Sequence, residues 1–303
     1  MKGITFGEIH SYNDLNLILS KVEIPPAKPK TNYIDIPGGD GSVDLTEAHG
    51  EVKFYDRECR FTFTMNPASD LSEAAWEAKK MEVSNALNGQ KLKITLDKDA
   101  EFYYLGRCEV NEYLSNKRLR QIVVVATVEP YKWKQEETVV KIVSDSHAPI
   151  NVDENNPITF EDIKALEPGR YLVWYPFSCY IDLDTEVTFE NKSVLIVEEG
   201  VSSTERIYTC ACIQYTYDLY NNTLLSVEEV DPDTTVELVN LRKTACPIIN
   251  CGYPNTIVMF GGTKYKLRSG KNQIADIRLQ PGTNIIKFVS YPVISFTWQE
   301  GAL

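Results

Sequence analysis

Three kinds of side chain in this 303-residue chain have the chemistry to act on a ligand: paired carboxylates, thiols and imidazoles. The carboxylates fall in Asp-x-Asp pairs: Asp97 with Asp99, Asp182 with Asp184, and Asp231 with Asp233. A glycosidase needs two such groups at a set separation across a cleft, and none of these spacings selects a pair. A calcium loop needs further oxygen ligands and a turn glycine, which the stretch after Asp231-Pro232-Asp233 lacks. Turn-flanking acids are therefore expected. The seven cysteines are Cys59, Cys108, Cys179, Cys210, Cys212, Cys246 and Cys251. Cys210-Ala211-Cys212 and Cys246 with Cys251 depart from the C-x-x-C spacing of metal sites, and His10, His49 and His147 are scattered. Half-buried strand thiols are expected, with no metal. The glycine-rich stretch Pro37-Gly38-Gly39-Asp40-Gly41 would cradle a phosphate only if a helix followed, and the pattern after it is not helical. Serine elbows, P-loops and dinucleotide fingerprints are absent. These residues point away from an enzyme and require no cofactor.

The elements that position them are mostly strands. The chain is 43% hydrophobic and 24% charged, with 17 Tyr and 11 Phe, a globular composition long enough for two domains. Its net charge of −12 argues against nucleic acid as the main partner, since phosphate binding needs a basic surface. No stretch approaches the roughly 18 apolar residues of a membrane span. The N-terminus lacks the apolar core of a signal peptide, and the odd cysteine count fits reduced thiols of a protein made in a cytoplasm.

Residues 13–24 read as a strand or two, followed by an extended connection at Pro25-Pro26 and Pro29. Val52, Phe54, Cys59, Phe61, Phe63 and Met65 alternate, with a phase reset between Tyr55 and Glu58. Asp70 with Glu73 forms a capping-box pattern, and Gly89 closes a helix over 70–88. That helix carries two apolar stripes on nearly opposite faces. Trp76, Val83 and Leu87 make one; Leu71, Ala74, Ala78 and Met81 make the other. A helix apolar on both sides is either buried within a large domain or sandwiched between its own sheet and a neighbour. Beyond it, residues 91–128 read as a β-meander whose continuous run Ile122–Val125 predicts a strand covered on both faces.

In order, the pieces Pro25-Pro26, PGGDGSVDLTEAHG, EVKFYDRECRFTFTM, the helix, NGQKLKITLD, YYLGRCEV and EPYKW resemble the N-terminal domain of siphophage distal tail proteins. The resemblance covers about the first 134 residues and resumes at LQPGTNIIKF…FTWQEGAL. It departs at Asn88-Gly89, where members often carry His-Gly. It implies a mainly β fold with one α-helix: residues 1–134 as a ring-forming hub domain of β-sandwich or meander plus helix, and 135–303 as a galectin-like β-sandwich. Residues 144–235 fit the compact pattern poorly and read as an inserted or elaborated β-region.

What the resemblance implies for function is a structural part of a phage tail tip or baseplate, assembled in the bacterial cytoplasm and residing in the virion. Its partners would be itself, as a ring and by family a hexamer, the tail tube protein, and tail-associated or baseplate proteins. Leu71, Ala74, Ala78 and Met81 are the candidate oligomer interface. The alternative is a carbohydrate-binding module contacting cell-surface glycan through the C-terminal sandwich, with Trp174, Tyr175, Tyr215 and Tyr217 as contacts for glycan or protein. Aromatics with polar neighbours stack on sugars and anchor interfaces, although filling a core is their commoner use.

Overall fold

The computed structural model describes residues 3–48, 50–115, 119–142, 150–151, 165–173, 178–181, 185–188, 193–200, 204–210, 213–221, 223–232, 234–252, 256–288 and 293–303. Among the described residues the protein is mainly β, with one α-helix described along its whole length. Two compact units divide it: Met1–Glu136 together with Gln299–Leu303, and Glu137–Trp298.

The first unit is built on an antiparallel sheet. Its strands are β1 (Ile4–Phe6), β2 (Ile9–His10), β3 (Leu17–Glu23), β4 (Tyr33–Asp35), β5 (Ser42–Asp44), β6 (Arg57–Met65), β7 (Lys91–Leu96), β8 (Phe102–Ser115), β9 (Arg120–Val128) and β10 (Lys132–Lys134). The main path runs β2-β1-β7-β8-β9-β6-β3, and β4 with β5 forms a separate two-stranded hairpin. Alternation places Cys59, Phe61, Phe63 and Met65 of β6 inward, where Phe6 of β1 meets Phe61 and Phe63 edge-on at 6.0 Å each. Helix α1 (Glu73–Leu87) adds Trp76, Val83 and Leu87 to the same core. As its continuous apolar run predicts, β9 is buried on both faces from Ile122 to Ala126. Ile122, Val124 and Ala126 join the core, while Val123 and Val125 sit between cross-strand neighbours with long side chains, Glu112, Arg60 and Glu109 among them.

Two local expectations change. The helix is capped by Ser72, whose Oγ accepts from Ala75 N at 3.2 Å, and not by Asp70. Asp70 instead accepts from both the amide and the hydroxyl of Ser72 at 2.8 Å, orienting the cap. Those hydrogen bonds hold its carboxyl below the usual range. The last five residues, expected within 135–303, belong to the first unit. Their strand Gly301–Ala302 pairs with β10, Trp133 opposite Gly301, and Lys134 N donates to Glu300 O at 3.0 Å.

The second unit contains two four-stranded sheets. One has the order Thr138–Ile142, Ile294–Trp298, Ile248–Cys251, Gly270–Asn272; the other Thr234–Asn240, Gly282–Phe288, Thr256–Phe260, Thr263–Leu267. Leu238, Val258, Ile286 and Phe288 of the second sheet share one core with Ile249, Ile294, Phe296 and Trp298 of the first, which makes a sandwich. Gly261-Gly262, both at positive φ, turns the hairpin at 256–267, as a two-residue loop of that type requires. A six-stranded sheet from Ile150–Asn151 to Thr223–Glu229 occupies the region expected to be elaborated, with strands Ser193–Glu199, Glu205–Cys210 and Ile213–Asp218 joined as antiparallel neighbours.

Candidate assembly surfaces

The residues with chemical potential are engaged in structure. Asp97 accepts from Gly3 N at 2.6 Å and faces His10 Nε2 at 3.3 Å, and His10 Nδ1 accepts from Tyr12 N and Asn13 N. With Nδ1 accepting, the ring carries its proton on Nε2 and donates to Asp97. Asp99 pairs with Lys132 at 2.7 Å. Asp231 pairs with Lys264 at 3.2 Å, beside Glu229. Asp182, Asp184, Asp233, His49, His147 and Cys212 lie outside the described residues. Cys59 and Cys108 flank Ala126 on adjacent strands and are buried, which pushes their thiols up to about 11 and about 12. Among the described residues no group of three or more metal-ligating side chains converges. An open groove of about 750 Å³ lies over β7, β8 and β9, but its cations are already bonded. Lys91 reaches Glu129 at 3.4 Å and Arg107 Nη1 donates to Gly89 O at 2.6 Å.

Apolar surface is the feature that stands out. Between β3 and β6 the chain makes a long excursion in which residues 28–44 are all exposed. At its base Tyr55 N donates to Lys28 O and Lys30 N to Lys53 O, and Lys30 Nζ lies 5.2 Å from the Tyr55 ring centroid. Above the base, Ile34 of β4 pairs with Val43 of β5 and Tyr33 with Asp44. Asp44 Oδ1 accepts from Thr46 N at 2.9 Å. Hydrogen bonds from Thr46, and then from Tyr33, hold its carboxyl below the usual range. Tyr33, Ile34, Ile36 and Val43 are 58%, 52%, 49% and 44% exposed. Adjacent residues of a strand point to opposite faces, so Tyr33 and Ile34 make both faces of this ribbon apolar. A two-stranded hairpin gains little stability alone, and this one leaves four large apolar side chains in solvent.

The helix supplies a second such surface. Trp76 is anchored inward, its ring edge-on to Tyr113 with Arg120 at 5.7 Å over its face. Arg120 also donates to Ser72 O and pairs with Glu73, each at 3.0 Å. Ser84 Oγ and Tyr113 OH lie 2.5 Å apart. These contacts fix one helical face on the sheet. Ala74, Ala78 and Met81 are exposed on the other, Met81 by 63%, and Leu71, expected on the same stripe, is exposed just before the Ser72 cap and outside the helix. Burial of that stripe inside its own unit, one of the two sequence expectations, does not occur.

Of the aromatic candidates in the second unit, Trp174 and Tyr175 lie outside the described residues. Tyr217 is buried, paired across strands with Arg206, so its ring is part of the interior and offers no contact surface. Tyr215, opposite Tyr208, is half-buried, and Tyr220 in the following turn is 84% exposed. The sequence pattern announces no element at Tyr33, Ile34 and Ile36, where the structure places the arm. The available signal was consecutive apolar residues hemmed between prolines and glycines, where no wide sheet can cover both faces.

No family model matches the chain, and no curated protein matches it in sequence. Among solved structures, similarity is found to the crystal structure of the SPP1 Dit (gp 19.1) protein, described as a paradigm of the hub adsorption apparatus in phages infecting Gram-positive bacteria. The identity is 12%, the TM-score 0.49, and 100% of each chain is covered.

Proposed function

We propose that this chain is a structural protein of a phage tail tip, whose first unit assembles with copies of itself into a closed, hexameric hub ring. The ring joins the tail tube on one face to tail-associated and baseplate proteins on the other, and the second unit is carried as an attachment module. The observation that carries the reading is the pair of exposed apolar surfaces on the first unit: the arm at Tyr33, Ile34, Ile36 and Val43, and the helix face at Ala74, Ala78 and Met81 with Leu71 just before the cap. Two different patches on one protomer suit a head-to-tail contact, the kind that closes into rings. The ordered sequence landmarks over the first 134 residues support the same reading. Negative-stain electron microscopy of the purified chain tests it: rings with six-fold views are expected, and a field of single particles at high protein concentration would count against it.

A second reading, a carbohydrate-binding module acting through the C-terminal unit, rests on two tyrosines, Tyr220, which is exposed, and Tyr215, which is half-buried. Exposed tyrosines of this kind stack on sugar rings. Glycan-array binding by the full chain that is lost in Tyr220→Ala supports it, and an array without signal dismisses it.

A further inference from the structure

Two peptide bonds in this chain join an aspartate or an asparagine to glycine: Asp40-Gly41 and Asn88-Gly89. Such pairs are prone to succinimide chemistry, because a glycine nitrogen, unshielded by any Cβ, can reach the preceding side-chain carbonyl carbon. The fold treats the two oppositely. At Asn88 both reacting groups are held. Its Oδ1 accepts from Val110 N at 3.0 Å, the Gly89 nitrogen donates to Cys108 O at 2.8 Å, and Arg107 clamps Gly89 O at 2.6 Å. At Asp40 nothing is held. Residues 28–44 are exposed throughout, and a Cβ built on Gly38 or Gly41 would meet nothing within 4 Å. Among the described residues no hydrogen bond uses the Gly41 nitrogen.

We infer that Asp40 is a site of spontaneous isoaspartate formation in the folded protein, and that Asn88 is protected from the corresponding deamidation. The Gly41 nitrogen bonds to Asp40 Cγ, the side-chain hydroxyl departs, and the amide proton leaves with it, so one water is released. Water then adds to one of the two imide carbonyls and breaks its C–N bond. Opening at the main-chain carbonyl routes the backbone through Cβ and Cγ and leaves the former main-chain carbon as a free carboxylate. No oxidant or cofactor takes part. The product inserts one extra carbon into the main chain between β4 and β5, two residues from the Asp35–Ser42 pair that closes the hairpin. The turn lengthens, and the register of Ile34 against Val43 loosens with age.

The test ages the full chain at neutral pH, folded and in urea, and maps the products by peptide mass spectrometry with electron-transfer fragmentation. Methyl transfer by an isoaspartate-specific methyltransferase gives a second readout. In the folded chain isoaspartate should accumulate at residue 40, with hydrogen exchange of residues 33–44 rising in step, and Asp40→Ser should abolish both. Deamidation at Asn88 should be slower in the folded chain than in urea by at least about tenfold, since it requires local opening. The inference is overturned if the folded chain gains no isoaspartate at residue 40 while the unfolded chain does. It is equally overturned if Asn88 deamidates as fast folded as unfolded.

Discussion

Met81→Asp separates folding from assembly on a single helix. Met81 is 63% exposed, so about a third of its surface contributes to the fold. Full burial of such a side chain is worth about 1.5–3 kcal/mol, which puts the folding share at roughly 1 kcal/mol or less. Aspartate in a helix interior adds up to about 0.7 kcal/mol of lost propensity. Repulsion from Glu77, four residues earlier, adds about 0.2–0.5 kcal/mol more. The dilute chain should therefore lose no more than about 2 kcal/mol by urea unfolding. At an interface that covers the remaining methionine surface, the same substitution removes about 1–2 kcal/mol of burial. It also strands a carboxylate, at several kcal/mol. A swing of about 3 kcal/mol or more is over a hundredfold in each contact, repeated around the ring. The assay pairs urea melts with mass photometry over a concentration series. Assembly equal to that of the parent would remove this face from the interface, and a loss well beyond 2 kcal/mol in the dilute chain would show that the face is not free.

Trp76→Ala attacks the opposite face of the same helix and should cost about 3–5 kcal/mol in urea unfolding, since it empties a buried site walled by Tyr113 and Arg120. Gly106→Ala places a Cβ 2.5 Å from Thr127 O and 2.8 Å from Val128 Cα, backbone atoms that cannot swing aside. A loss of about 1–3 kcal/mol is expected by thermal or urea melting. Cys59 and Cys108 should resist alkylation at neutral pH until the chain unfolds, whereas half-buried Cys246 should react before either when thiol-labelled peptides are followed over time. Their folded values lie above the ordinary thiol value of 9.0, so the neutral thiols stabilise the fold fully below pH 9.0. That contribution is lost as pH climbs through about 11 and about 12, which Cys59→Ser and Cys108→Ser variants should flatten in a stability–pH series.

Much of the first unit could be read from local pattern. The alternation Cys59, Phe61, Phe63, Met65 and the continuous run Ile122–Val125 named their own burial, because side-chain direction in a strand follows sequence parity. The helix was legible to within a few residues, but its cap was not. Asp70 and Ser72 both suit an N-cap, and only the bond from Ala75 to Ser72 decides between them. Non-local pairing was illegible: nothing near Gly301 announces a partner at Trp133, across more than half of the chain. The two stripes of the helix were legible, and the structure buries one in the core and leaves the other exposed. Tyr217 shows the limit of composition, because an aromatic-rich segment looks the same whether its rings line a surface or fill an interior.

Native mass spectrometry of the intact protein asks whether copies of this chain close into a ring through the first unit. A discrete species at six times the 34.4 kDa chain mass is expected, lost in Met81→Asp and in a variant with Tyr33, Ile34, Ile36 and Val43 replaced by serine. A monomer at every concentration, or an open-ended ladder of masses without a closed species, would contradict it.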